Sequence, residues 1–124
     1  MKKAKFFGAL FSLLSVIIGA FNSHALKKIL PESAIESIDV ALRYMMYHGL
    51  VLLILSILPL KEKKDVANIF IFGTILFSFS ILFLSFQSII NIKISWLGPI
   101  TPIGGSFLIF GWILLLYRLI REKA

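Results

Sequence analysis

The sequence predicts an all-α membrane protein, a compact bundle of four transmembrane helices that forms a single domain over residues 1–124. Three observations lead to this prediction. Apolar residues make up 59% of the 124-residue chain and charged residues only 15%, whereas a soluble domain has about 45–50% and about 25% respectively. The mean hydropathy is +0.97. The charged residues also fall in short clusters between four long uncharged runs, as expected when lipid is the solvent.

The four uncharged runs define the predicted membrane spans. A hydrocarbon core of about 30 Å needs roughly 20 residues of helix, and each run is close to or above that length. The second run is the shortest, and snorkelling of the basic residues that flank it would make up the difference. The predicted spans are 6–26, 44–60, 66–92 and 94–117.

The first span has an alternative interpretation. Residues 1–25 have a basic start, an apolar middle and small residues at Ser23 and Ala25, which is the pattern of a cleaved secretory signal peptide. The uncharged run is long for a signal peptide, so we favour a helix that stays in the mature protein.

The distribution of lysine and arginine predicts the orientation in the membrane. Nine basic residues lie at the two termini and in the loop between spans two and three, and four lie in the other two loops. Cytoplasmic segments carry the excess of Lys and Arg, so we expect both termini in the cytoplasm. The nine are Lys2, Lys3, Lys5, Lys61, Lys63, Lys64, Arg118, Arg121 and Lys123, against Lys27, Lys28, Arg43 and Lys93.

The segment 27–43, "KKILPESAIESIDVALR", predicts a short amphipathic helix on the outer membrane surface, between helices one and two. Pro31 suits a helix start, and Glu32 an early turn. Ile35, Ile38 and Leu42 recur at helical spacing and would face the lipid. An exposed loop without regular structure is the alternative.

Polar side chains in the outer half of the predicted bundle form the candidate binding site. Burying such side chains in lipid costs free energy, so each is expected to have a hydrogen-bond partner or a function. With the spans above, all four helices place polar groups at about the same outer level, namely Asn22, His24, Tyr47, His48, Gln87 and Thr101. These residues could form a pocket for a ligand, or a network of hydrogen bonds that only holds the helices together.

The composition argues against several kinds of chemistry. There is no cysteine, so thiolate metal sites and cysteine nucleophiles are excluded. His24 and His48 could ligate haem as a pair, but a zinc site needs three or four protein ligands, so we expect no metal and no cofactor. The net charge of +7 lies at the membrane edges and not on a face shared with aromatic residues, so we expect no nucleic-acid partner.

The run "LGPITPIGG" (97–105) in the first part of the fourth span contains two prolines and three glycines. We expect the regular helix to begin at Pro102 with Thr101 as its cap, which would leave the preceding residues as irregular backbone in the outer leaflet. Such backbone needs polar partners, and we expect His24 or His48 to reach this segment or Thr101. Gly104 and Gly105 would let a neighbouring helix approach closely.

Three stretches of the sequence resemble a known family. They are "GAFNSHAL" (19–26), "YMMYHGLVLL" (44–53) and "GPITPIGGSFLIFGW" (98–112). In order and spacing they are similar to the YgdD/YwdK-type family of small bacterial inner-membrane proteins, which has one domain of unknown function and eukaryotic relatives. The residues that match its motifs are His24, Tyr47, His48, Gly98, Pro99, Thr101, Pro102, Gly104 and Gly105.

The chain departs from this family's pattern at two places. Asn22 and Ser23 stand where Gly-Ala is usual, and Phe79 stands where a glycine is usual. The resemblance implies a four-helix protein of the bacterial plasma membrane and brings no established activity with it.

Three functions stay open at this point. The first is a non-enzymatic membrane protein that binds a lipid or small amphiphile, or supports another membrane protein. The second is a small transporter or channel subunit that acts as a homo-oligomer, because discontinuous helices often line substrate sites. The third is a membrane enzyme or haem protein that uses His24 and His48, for which the sequence offers no catalytic set.

Overall fold

The chain folds into four long helices, seen in a computed structural model that describes residues 1–122. They are α1 (Lys2–Ser23), α2 (Glu32–Ile57), α3 (Lys64–Ser85) and α4 (Ile100–Arg121). Each is long and apolar enough to cross a membrane, and the described residues contain no strand. The predicted all-α class and the four membrane-spanning helices are therefore confirmed. Of the residues used for orientation, Lys123 lies outside the described part of the chain.

The helices run up and down, so the bundle has two distinct ends. We call the end that holds Met1, the loop 58–63 and Arg121 the terminal end, and the end that holds the segments 24–31 and 86–99 the loop end. α1 packs along α2, α4 packs along α3, and α2 contacts α3 in the middle of the bundle. Within residues 1–122, the backbones of α1 and α4 do not approach each other.

Helix α2 differs from the prediction for segment 27–43. The segment is helical from Glu32 as predicted, with Pro31 as the N-cap, but it continues without a break into the predicted second span. Ile35, Ile38 and Leu42 are buried in the bundle. No proline or glycine interrupts residues 32–48, and the apolar stripe finds α1 and α3 as partners, so packing inside the bundle replaces the predicted position on the membrane surface.

Small residues allow close contact between α1 and α2. A Cβ atom on Gly8 would lie 2.7 Å from the carbonyl oxygen of Gly49, and one on Gly49 would lie 2.8 Å from the hydroxyl of Ser12. The two backbones therefore touch where they cross, as small residues permit in membrane helices. Further toward the loop end, the hydroxyl of Ser15 donates to the carbonyl of Leu42 (3.2 Å).

Gly104 forms the corresponding close contact between α4 and α3. A Cβ atom on Gly104 would lie 2.7 Å from the carbonyl carbon of Leu76, and closer still to the amide nitrogen of Phe77. This part of α3 is a π-helical segment, Ile75–Phe79. The predicted close approach is confirmed at Gly104, whereas Gly105 makes only ordinary contact with the Phe77 ring (3.5 Å).

Helix α4 begins two residues earlier than predicted, at Ile100, with Pro99 at its N-cap. A 3₁₀ turn, Ser95–Leu97, precedes it, and Gly98 and Pro99 have helical dihedral angles. Pro99 and Pro102 both lie among the first four positions of the helix, whose N–H groups have no partner within it. The two prolines therefore remove no helical hydrogen bond, which is why the expected irregular backbone does not form.

Candidate functional site

A cavity of about 500 Å³ lies at the loop end, between the start of α2, the end of α3 and the start of α4. We call it the loop-end cavity. No charged side chain lines it. Its apolar wall is formed by Pro31, Ala34, Ile81 and Leu84, and its polar wall by Ser33, Ser37, Ser85, Gln87, Ser88 and Thr101. The predicted site residues Gln87 and Thr101 are thus brought together.

Three serine hydroxyls of the cavity are free to bind a ligand. Ser33 and Ser37 stand one turn apart on α2 and so share a face of the helix. Ser88 follows the end of α3. Within residues 1–122 the hydroxyls of Ser33, Ser37 and Ser88 have no protein hydrogen-bond partner, so each can donate and accept.

The hydroxyls of Thr101 and Ser85 have their hydrogens engaged. Ser80 donates to the carbonyl of Phe77 (2.9 Å), so in its 2.6 Å contact with Thr101 it is the acceptor. Thr101 therefore donates to Ser80 and keeps acceptor capacity. Ser85 donates to the carbonyl of Ile81 (2.8 Å). The cavity wall consequently offers donors from α2 and acceptors from α3 and α4, which suits a ligand with hydroxyl groups.

Gln87 lines the cavity and holds the segment that precedes α4. Its side-chain oxygen accepts from the backbone N–H of Ile94 (2.9 Å) and from the hydroxyl of Ser95 (3.4 Å). Its side-chain nitrogen donates to the carbonyl of Leu84 (3.3 Å). With three contacts made inside the protein, Gln87 fixes the wall of the cavity and has little capacity left for a ligand.

Asn22 lies between α1 and α2, away from the cavity lining. It is only 1% exposed, and its side-chain nitrogen donates to the carbonyl of Ile35 (3.2 Å) and to the carboxylate of Asp39 (2.8 Å). Its side-chain oxygen is buried without a partner in the described part of the chain. These contacts join the loop-end halves of the two helices.

His48 makes a second polar contact, in the middle of the bundle. Its Nδ1 lies 2.7 Å from the carbonyl oxygen of Tyr44, and its Nε2 accepts from the indole N–H of Trp112 (3.1 Å). Since a carbonyl oxygen only accepts, Nδ1 carries the proton. Both ring nitrogens are therefore engaged, and they connect α2 with α4. The side chain is only 3% exposed.

The structure separates the two histidines, which corrects the expectation that all six polar residues share one level. His24 is exposed at the loop end, where it caps α1. His48 lies sixteen residues after Glu32, or about 24 Å along α2. The difference arises because α2 begins twelve residues before the predicted second span, at Glu32 and not at Tyr44.

The expected contact between a histidine and Thr101 or the segment 97–100 is also wrong. Thr101 is bonded to Ser80, and His48 to Trp112. Tyr47 is 50% exposed on the outside of the bundle. Gly98 is exposed in front of α4. No group of three metal-ligating side chains comes together within residues 1–122.

Sequence reasoning did not identify the serines of the cavity. Ser33 and Ser37 lie in the segment interpreted as a surface helix, and Ser85 and Ser88 lie inside the predicted third span. The one available signal was the spacing of Ser33, Ser37 and Ala34 on one side of an amphipathic helix. Ser80, the partner of Thr101, lies in the mostly apolar stretch "FSFSIL" (77–82) of the third span, where no such spacing marks it.

Fold and site together define a class: a small multi-pass α-helical membrane protein with an uncharged polar cavity at one end of its bundle. The comparisons with known proteins agree with this class. The family model described as "Protein of unknown function (DUF423)" matches residues 18–105, and the chain belongs to this family. The resemblance found in the sequence is thereby confirmed.

Several bacterial relatives match almost the whole chain. A UPF0382 membrane protein of Haemophilus influenzae is 35% identical over 119 residues, which cover 94% of this chain and 92% of the relative. A UPF0382 membrane protein of Staphylococcus epidermidis is 34% identical over 98% of both chains. The UPF0382 membrane protein YwdK of Bacillus subtilis is 31% identical over 98% of both. No solved structure matches the chain significantly.

Proposed function

We propose that this protein is a non-enzymatic protein of the bacterial plasma membrane that binds an uncharged, hydroxyl-bearing amphiphile in the loop-end cavity. The observation that supports this most is the lining of the cavity. Six hydroxyl or amide side chains face a wall of apolar ones, with no charged group among them. A polar head with hydroxyl groups would meet Ser33, Ser37 and Thr101, and its acyl chains would lie against Ile81 and Leu84.

The position of the cavity supports an amphiphile over a water-soluble ligand. It opens between the ends of three membrane-spanning helices, where a bilayer places its head groups. An uncharged lining also favours an uncharged head, because a charged one would lose its hydration without gaining a counter-charge. Diacylglycerol, with one free hydroxyl and two ester carbonyls, has the chemistry required.

The alternative of a transporter or channel subunit rests on a discontinuous fourth helix. Residues 95–121 form an almost continuous helical path. The fourth helix therefore gives no reason to prefer a transporter or channel subunit. The alternative of a haem protein rests on His24 and His48 acting as a pair, and these residues lie at different depths. The cavity is the feature that favours a binding role.

Binding can be tested by native mass spectrometry of the full-length protein in a neutral detergent, with dioleoylglycerol as the probe. Leucine in the Ser37→Leu/Ser85→Leu variant would fill the cavity from α2 and α3 and remove two hydrogen-bonding groups. At about 0.5–1.5 kcal/mol for each hydrogen bond, we expect affinity to fall about ten-fold or more. Ser106→Leu is the matched control, because Ser106 is exposed on α4 and its hydroxyl donates to the carbonyl of Pro102, away from the cavity lining. Equal diacylglycerol binding by all three proteins would refute the proposal.

We also propose that both termini, and with them the terminal end, face the cytoplasm. The excess of Lys and Arg at this end supports this orientation. Because the chain has no cysteine, single Lys61→Cys and Ser95→Cys variants can be labelled in intact cells with a membrane-impermeant maleimide. Ser95→Cys should react and Lys61→Cys should not. The reverse pattern would invert the proposed orientation.

A further inference from the structure

A second cavity, which we call the lysine cavity, lies at the terminal end between the first turns of α1 and α3. Its volume is about 270 Å³. It is lined by Met1, Lys3, Ala4, Lys64, Ala67 and Asn68. Two lysines and one amide thus line the cavity, and no acidic side chain does.

The local sequence explains why this space is open and polar. Lys64 and Asn68 are four residues apart on α3, so they lie on the same face one turn from each other. Ala4 on α1 and Ala67 on α3 are almost fully buried. Their short side chains let the two helices pack without filling the gap between Lys3 and Lys64.

No carboxylate in the described part of the chain forms an ion pair with these lysines. The ion pairs in the described part of the chain all use Arg118, whose guanidinium lies 2.8 Å from the carboxylate of Asp65 and 3.7 Å from that of Glu62. Asp65 is therefore held toward α4, although it follows Lys64 directly. Within residues 1–122, neither Lys3 nor Lys64 has a carboxylate within 4.0 Å.

The ends of the two helices add to the positive potential. Both α1 and α3 begin at the terminal end, and neither has a side chain that caps its first N–H groups. These groups carry the positive end of the helix dipole. An anion in the cavity would thus be attracted by two ammonium groups, with additional support from the helix termini and the amide of Asn68.

We propose that the lysine cavity binds the phosphate group of an anionic phospholipid, with the acyl chains lying along the apolar surface of α1 and α3. This site is independent of the loop-end cavity and of the function proposed for it. Its lysines stand in the first turns of two membrane-spanning helices, at the level of the lipid head groups. A phospholipid fits that position because its phosphate reaches the lysines while its chains stay in the hydrocarbon region.

The site is tested by native mass spectrometry of the full-length protein with dioleoylphosphatidylglycerol as the probe. Lys3→Gln/Lys64→Gln removes the charges of the two lysines that line the cavity. Lys2→Gln/Lys5→Gln is the matched control, because it removes the same net charge from the same end without touching the lining. An interfacial lysine contributes about five-fold to the binding of an anionic lipid. We therefore expect affinity to fall about twenty-fold in the cavity variant and no more than about two-fold in the control.

Two further measurements complete the test. Asn68→Leu keeps both charges but removes the amide, and it should also weaken binding of this lipid. Inorganic phosphate in large excess should not displace the lipid, because it lacks acyl chains. Equal losses in the two lysine variants would show a diffuse basic surface and overturn the proposal. Displacement by inorganic phosphate would overturn it in favour of a site for soluble anions, and retained binding by the cavity variant would also overturn it.

Discussion

The loop-end cavity and the lysine cavity both open beside α3, but only one of them carries charge. At the loop end, α3 contributes Ser85 next to Ile81, and the opposite wall is the hydroxyl-bearing start of α2. At the terminal end, α3 contributes Lys64 and Asn68, opposite the lysine of α1. The same helix thus presents neutral groups at one end and cationic groups at the other.

The difference follows from what surrounds each cavity. Within residues 1–122, the acidic groups that form ion pairs at the terminal end are both engaged by Arg118 on the α4 side, which leaves the α1 side positive. At the loop end, no charged side chain lines the cavity, and the hydroxyl hydrogens of Thr101 and Ser85 are engaged within the bundle, which leaves neutral acceptors in the wall. We infer that the two ends select amphiphiles with different head groups.

A substitution at Gly104 should have the largest effect on the difference between the two cavities, because α4 lines the loop-end cavity and not the lysine cavity. In Gly104→Ala, the new methyl group would meet the backbone of Leu76 and Phe77. We expect a loss of about 1–3 kcal/mol in the free energy of unfolding, with weaker diacylglycerol binding and unchanged phosphatidylglycerol binding. Reversible unfolding in mixed micelles measures the free energy of unfolding, and native mass spectrometry measures the binding of the two lipids.

Gly105→Ala is the control for this variant. Its methyl group would make ordinary contact with the ring of Phe77, so stability should change little. If the two variants were equally stable, the close packing of α4 on α3 would be contradicted.

A substitution at Arg118 tests the charge of the terminal end. Its guanidinium, 17% exposed, also donates to the carbonyl of Glu62 (2.5 Å). Arg118→Gln should cost about 1 kcal/mol or less in the free energy of unfolding, since partly exposed ion pairs are weak. Arg118→Gln should also weaken phosphatidylglycerol binding. The carboxylate of Asp65 would no longer be held by Arg118 and would offset the charge of the neighbouring Lys64. Arg121→Gln is the control, because Arg121 donates to the hydroxyl of Tyr117 and lies over its ring and forms no ion pair within residues 1–122. Equal effects of both variants would contradict this role of Arg118.

The smallest effect on the free energy of unfolding is expected for substitution of Thr101, at the loop end. Thr101→Val removes the hydrogen bond to Ser80 at nearly constant volume. Hydrogen bonds between membrane helices average about 0.6 kcal/mol, so we expect a loss of that order in unfolding free energy. Thr101→Ser keeps the hydroxyl and should recover most of the loss. Destabilisation of the same size in both variants would show that the methyl group, and not the hydrogen bond, is responsible.

The sequence predicts the helices of this bundle better than it predicts their partners. Composition and uncharged runs identify four membrane spans, and the small residue at Gly104 correctly indicates a close helix contact. The uncharged pattern predicts too late a start for the second span, because Glu36, Asp39 and Arg43 interrupt it, although such residues can sit at the membrane interface. That error moved His48 to the wrong depth and concealed Ser33 and Ser37.

Pairings across the bundle could not be predicted at all. The contacts of Ser80 with Thr101 and of His48 with Trp112 depend on how each helix is rotated about its axis. Helices α1 and α4 are apolar around most of their circumference, so hydrophobic periodicity does not reveal that rotation. The two cavities result from the same tertiary arrangement.

The most direct measurement is native mass spectrometry of the wild-type protein and the two cavity variants, each with an equimolar mixture of dioleoylglycerol and dioleoylphosphatidylglycerol. We expect Ser37→Leu/Ser85→Leu to lose diacylglycerol and keep phosphatidylglycerol, and Lys3→Gln/Lys64→Gln to do the reverse. If both variants lost the two lipids in equal proportion, or neither variant lost any, the division of lipid chemistry between the two ends of the bundle would be contradicted.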